Sequence, residues 1–223
     1  MSFVNQLETS FKEKANYINA VAMSKYMKNH FAFYGIKTTE RRETFKEIWK
    51  QNKTEVHSNA RNIALQLYTK EQRELHYCAI EIVIKELKGN YKKEDIQFIE
   101  DLIIKNSWWD SVDTISKYIL GQYLVEFPEL IPEICTRFSN SENMWLNRSA
   151  ILFQLGYKEK TNFELLKSIC LQHQNSTEFF IQKAIGWSLR EYAKSNPKGV
   201  IDFVANSKLK LLSKKEALKN VSQ

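Results

Sequence analysis

Glycine and proline are scarce, with 6 Gly and 3 Pro in 223 residues. Sandwiches, barrels and glycine-rich phosphate loops need many tight turns, so this supply disfavours all three and favours helices. Cysteine is also scarce. Cys78, Cys135 and Cys170 are odd in number, far apart and without the CxxC spacing of a metal or redox site, so they read as small core residues. His30, His57, His76 and His173 are scattered, none four residues from another. A zinc site is therefore not expected, and neither is any other metal or cofactor. No apolar run approaches the ~18 residues of a membrane span, and the opening MSFVNQLETSFKEK lacks the charged-then-apolar order of a signal peptide. A soluble, cytoplasmic chain is expected, with no obligate protein partner and a monomeric state.

What is present is basic and aromatic. There are 33 Lys+Arg against 26 Asp+Glu, a net charge of +7, with 5 Trp and 10 Tyr. That combination suits a polyanion presenting rings or sugars. Apolar residues recur at three- and four-residue steps between short polar breaks, which predicts about a dozen helices. The periodicity places them at 2–14, 18–30, 39–52, 58–69, 71–88, 93–105, 108–126, 129–138, 142–155, 161–173, 177–194, 197–206 and 213–221. Thr38 and Ser141 suit caps, Pro128 and Pro197 first turns, and Gly89 and Gly156 helix exits. No Pro-, Gly- or Ser-rich linker divides the chain, so one domain over 1–223 is expected.

A weak internal repeat is more informative than any one helix. Cys78-Ala79-Ile80, Asp113-Thr114-Ile115, Ser149-Ala150-Ile151 and Lys183-Ala184-Ile185 recur at intervals of 35, 36 and 34 residues. Trp109, Trp145 and Phe179 precede the last three. The spacing is that of two helices and their turns, as in a HEAT-like solenoid, an all-α superhelix whose inner helices line a concave groove. With Thr114, Ala150 and Ala184 at angular zero, Ile115, Ile151 and Ile185 fall at about 100°, on the side that packs between repeats. On the same wheel Trp109 falls at about 220°, Asp113 about 260°, Arg148 about 160°, Trp187 about 300° and Arg190 about 240°. Two indoles, a carboxylate and two guanidiniums thus share one arc, which is costly as a core and sensible as a site.

Each residue has a plainer reading. Trp109 and Trp187 could be aromatic core; Asp113 could be a surface carboxylate or the ion-pair partner of Arg148; Arg148 and Arg190 could be solvated or could clamp phosphates. Trp108 turns away from the arc and is expected to pack on the scaffold. A second basic, aromatic segment runs from Ser24 to Phe31 and from Tyr34 to Arg42. The helix start after Thr38, with Lys37, Arg41 and Arg42 beside it, offers amides to an anion, or else a capping box and a solvated turn. Lys208 to Lys215 reads as a solvated end.

Tyr26-Met27-Lys28-Asn29-His30-Phe31 with Gly35-Ile36-Lys37-Thr38-Thr39-Glu40-Arg41-Arg42, Ser107-Trp108-Trp109-Asp110-Ser111-Val112-Asp113, Trp145-Leu146-Asn147-Arg148, and Phe179 through Trp187 with Arg190-Glu191-Tyr192-Ala193-Lys194 together resemble the AlkD-type alkylpurine DNA glycosylases. The resemblance implies hydrolysis of the N-glycosidic bond of cationic alkylated purines, such as 7-methylguanine and 3-methyladenine, in duplex DNA. It implies no base flipping and an abasic product. Asp113 then looks like the catalytic carboxylate, and Trp109 and Trp187 like its aromatic walls. Arg148, Arg190, Tyr26, Lys28, Lys37, Thr38, Arg42 and Gln182 look like DNA contacts. Thr39 stands where relatives usually have Pro. Residues 15–30 supply the helix that enters the minor groove, with Lys25, Tyr26 and Lys28 on it. No lysine shares the arc with Asp113, so lyase chemistry through a Schiff base is not expected. The alternatives are a non-catalytic DNA-binding paralogue and a helical-repeat scaffold for protein partners.

Overall fold

The computed structural model describes residues 1–221. Among them the fold is all-α, a helical repeat, with one isolated β-bridge between Ala32 and Gln72. The chain forms two compact units, Met1–Asn90 and the residues from Tyr91 onward.

In the first unit, α1 (Phe3–Glu13) buries Phe3, Val4, Leu7 and Phe11, the one-sided stripe of an amphipathic helix. It packs on α3 (Thr38–Gln51) and α5 (Ala60–Tyr68). Along the chain, α2 (Tyr17–Tyr26) follows α1 and the short α4 (Lys53–Ser58) follows α3, and α5 pairs with α6 (Arg73–Glu86). The end of α3 at Gln51 matches the expected helix 39–52, whereas α4 was not expected. Asn52 turns its amide onto the Ile48 carbonyl and the Gln6 side chain, which ends α3. Two further expectations need correction. Thr38 is the first residue of α3 rather than its cap, and Lys37, at the cap, makes no side-chain capping bond. Helix α2 stops at Tyr26, so Lys28 lies beyond it with φ 56°, followed by Asn29 at 60°. A left-handed pair cannot continue a right-handed helix.

The second unit stacks helices in sequence: α7 (Asp95–Ile104), α8 (Trp109–Ile115), α9 (Gly121–Glu126), α10 (Ile131–Ser139), α11 (Met144–Leu152), α12 (Phe163–Gln172), α13 (Phe179–Ala193), α14 (Pro197–Asn206) and α15 (Leu211–Ala217). The repeat tripeptides lie on α6, α8, α11 and α13, and Ile115, Ile151 and Ile185 are all buried. Helix α11 packs against α8 on one side and α13 on the other. Buried hydroxyls mark the α8/α11 approach, where Ser116 and Ser149 lie Oγ to Oγ 2.9 Å apart. The single helix expected at 108–126 is broken by a π turn at Ser116–Leu120. There Ser116 Oγ donates to the Val112 carbonyl at 2.6 Å, a side chain competing for a ladder acceptor. Gly121 follows because a Cβ would lie 2.4 Å from the Phe153 carbonyl oxygen. Gly89 and Gly156 adopt positive φ at helix exits, and Pro197 opens α14, as expected. All three cysteines are buried and unpaired, and burial pushes each thiol to about 12.

Candidate functional site

Asp113 lies in the last turn of α8, four residues after Trp109, so the two project from one face. The carboxylate meets Arg148 of α11 through two parallel bonds, Nε to Oδ1 at 2.7 Å and Nη2 to Oδ2 at 2.9 Å. The third nitrogen, Nη1, donates to the Phe180 carbonyl in the first turn of α13. One guanidinium therefore joins the inner helices of three successive repeats. Its side chain is 5% exposed and that of Asp113 is 15% exposed. A buried fork–fork pair of this kind is held by geometry as much as by charge. Burial pushes the Asp113 carboxyl above its ordinary range, Arg148 opposes the rise through hydrogen bonds and charge, and the nearby Asp110 adds to it. The result is an oriented carboxylate with one edge open and little water on it.

Aromatic rings back the pair. Trp108, Trp145 and Phe180 form a triangle with centroids 5.1 to 5.8 Å apart, and Phe179 packs on Phe180 while remaining exposed. Trp108 is a packing residue, as expected. Trp109 is half-buried on the Asp113 face. Trp187 is half-buried two turns beyond Phe180 on α13, where it lines an open cleft of about 480 Å³ with Arg190, Lys194 and Lys219. Arg190 donates from Nη1 to Glu216 of α15 at 2.8 Å, and Lys183 reaches the other oxygen at 2.8 Å. The Gln182 amide donates to the Ser176 and Thr177 carbonyls and so fixes the turn into α13.

The remaining candidates lie in the first unit. Tyr26 ends α2 and is 67% exposed, Lys28 follows in its left-handed turn, and Lys37 and Thr38 are exposed at the start of α3. Arg42 is exposed, its Nε 3.4 Å from Glu81; the neighbouring Arg41 is buried, 2.7 Å from the same carboxylate. Helix α2 has no buried residue and displays Tyr17, Ile18, Val21 and Tyr26. Two participants were not assigned from sequence. Phe180 acts through its carbonyl, which no side-chain pattern reveals, and Asp110 acts through charge, although its position three residues before Asp113 on one helix was visible.

The fold is thus that of a helical-repeat protein, with a carboxylate–guanidinium pair built into its inner helices. The chain matches the family described as DNA alkylation repair enzyme over residues 7–221, and it belongs to that family. A predicted DNA alkylation repair enzyme from Enterococcus faecalis is 35% identical to it, with a TM-score of 0.85 over 94% of this chain and 97% of that one. AlkD2 from Streptococcus mutans shares the fold at 18% identity, with a TM-score of 0.61 over 84% of this chain and 92% of that one. The smu.31 protein of Streptococcus mutans does so at 16%, with a TM-score of 0.59 over 82% and 100%. No curated protein matches the chain. Among the described residues no helix is long and apolar enough to cross a membrane.

Proposed function

We propose that this chain is a monofunctional DNA glycosylase that hydrolyses the N-glycosidic bond of cationic alkylated purines in duplex DNA, 7-methylguanine and 3-methyladenine among them. It does so without flipping the base and leaves an abasic site. The observation that carries the reading is the bidentate Asp113–Arg148 pair, an oriented and poorly solvated carboxylate on the same helical face as Trp109.

A purine alkylated at N3 or N7 already bears positive charge, so it departs as a neutral base with little need of a general acid. Positive charge instead builds on the sugar. An ionised Asp113 stabilises that charge and orients the attacking water, while the faces of Trp109 and Trp187 add cation and CH contacts. Arg148, expected on a phosphate, acts here through Asp113, keeping it ionised against burial. Tyr26, Lys28, Lys37, Thr38, Arg42, Arg190 and Gln182 serve the duplex, and the amides opening α3 favour a phosphate. The exposed apolar side of α2 suits groove contact. The working state is a monomer in the cytoplasm.

The test is chromatographic. Incubation with methylated duplex DNA should release free 7-methylguanine and leave a strand that breaks only on alkali treatment. Tight, salt-dependent duplex binding without any base release would indicate the non-catalytic paralogue instead.

A further inference from the structure

Helix α2 has no core of its own: none of its residues is buried, and Tyr17 and Ile18 are 83% and 80% exposed. Ten residues with no packed face are marginal as a helix in water. What holds α2 is the returning strand of chain, residues 31–36. Asn16 N–H donates to the Tyr34 carbonyl at 2.8 Å, the Asn19 amide to the Gly35 carbonyl at 3.2 Å, and Ser24 Oγ to the Phe31 carbonyl at 2.9 Å. Gly35, at φ 86°, lies so close to the helix that a Cβ would stand 2.1 Å from the Asn16 oxygen.

That returning segment is in turn fixed by the first turn of α6. Glu74 is fully buried, and its carboxylate accepts three consecutive backbone N–H groups: Tyr34 at 3.1 Å, Gly35 at 2.8 Å and Ile36 at 3.2 Å. Beside it Arg73 donates its backbone N–H to the Ala32 carbonyl at 2.9 Å and lays its guanidinium 3.8 Å from the centre of the Phe31 ring. Buried charge held only by oriented amides is expensive to assemble, so its place at this junction demands a reason. We infer that Glu74 is a positioning residue for DNA binding: it pegs residues 34–36, and through them it sets both the pose of α2 and the start of α3, where Lys37 and Thr38 lie. This rests on the DNA reading above. It requires no contact between Glu74 and DNA.

Glu74→Gln keeps the shape but replaces one acceptor oxygen with a donor, which faces backbone donors. If the pegged pose falls to about a tenth of the population, the duplex dissociation constant rises about tenfold. Excision at saturating enzyme should change less than threefold, because the bound state selects the pegged pose. Amide exchange over 17–26 should accelerate in Glu74→Gln, while residues beyond 91 keep their protection. Gly35→Ala breaks the same junction by driving a Cβ into the Asn16 carbonyl while leaving Glu74 in place, and it should reproduce both effects if Glu74→Gln fails to fold. Unchanged exchange on α2 in the folded variants would overturn the peg. Released α2 with unchanged duplex affinity would overturn its role in binding, as would a normal affinity with a collapsed excision rate. A wild-type protein that binds duplex but releases no base would reject the glycosylase reading alone.

Discussion

Replacing Asp113 with Asn removes one negative charge while keeping volume and one acceptor. A sugar cation about 4 Å from the carboxylate gains about 4 kcal/mol at an effective dielectric of 20. Arg148 reduces this. On the open edge, the cation lies about 8 Å from the guanidinium and is repelled by about 2 kcal/mol. The intact pair thus favours the cation by about 2 kcal/mol, but Arg148 repels it in wild type and variant alike, so the substitution loses the full carboxylate contribution of about 4 kcal/mol, or about 1000-fold in rate. The variant also leaves a buried guanidinium half-paired. The cost is about 2 kcal/mol, less than that of breaking a fully enclosed pair, because Asp113 is 15% exposed. A fall of about 4–8 °C in Tm is expected, with the fold intact at 25 °C. The assay is single-turnover release of 7-methylguanine at saturating enzyme, with duplex affinity measured in parallel. We predict affinity within about threefold of wild type and excision slowed by about 1000-fold. Excision within threefold of wild type would refute the electrostatic role.

The pH dependence follows from the raised Asp113 carboxyl. Its ionised form is the active one, so the excision rate should fall on acidification with a midpoint above that of an ordinary aspartate. The same raised value means that the folded chain binds this proton more tightly than the unfolded one, so acidification through that window gains stability from this group rather than losing it; a rate loss that tracks unfolding would contradict it. Arg148→Met should lower stability by about 3 kcal/mol and move the acid limb upward, because burial then acts unopposed. Gly186→Ala places a Cβ 2.3 Å from that of Glu216 and 2.9 Å from the Ser213 carbonyl oxygen. It should cost about 1–3 kcal/mol by overpacking α13 against α15, seen as a lower Tm. With thiols raised to about 12, Cys78, Cys135 and Cys170 should resist alkylation at pH 8 in the native state and react once denatured.

Most of the scaffold was legible because its signal is periodic. The small-residue–Ile tripeptides located the inner helices, and the burial of Ile115, Ile151 and Ile185 follows from their register. The pairing of Trp109 with Asp113 was legible for the same reason, being four residues apart on one helix. What escaped were interactions made by the backbone or decided by local conformation. The left-handed turn at Lys28 and Asn29 ends α2 early, Lys37 takes the cap position given to Thr38, and Ser116 diverts the ladder into a π turn. Arg148 lay in the expected arc, yet its partners, a carboxylate and the Phe180 carbonyl, come from two other helices. Glu74 sits four residues before Cys78 on the buried side of α6, a carboxylate in an apolar stripe. That was the available sign of a buried anion, although its three amide partners lie about 40 residues away.

The most direct measurement compares two duplexes that differ only in charge at the lesion position. One carries a neutral tetrahydrofuran abasic analogue and the other a pyrrolidine analogue that is protonated at neutral pH and mimics the sugar cation. We predict that the wild-type chain binds the cationic duplex about 30-fold more tightly than the neutral one, the binding counterpart of about 2 kcal/mol, and that Asp113→Asn, left with the Arg148 repulsion, loses that preference and favours the neutral duplex. Equal affinity of the wild type for both duplexes, or a preference that survives in Asp113→Asn, would contradict a carboxylate held to stabilise charge on the sugar.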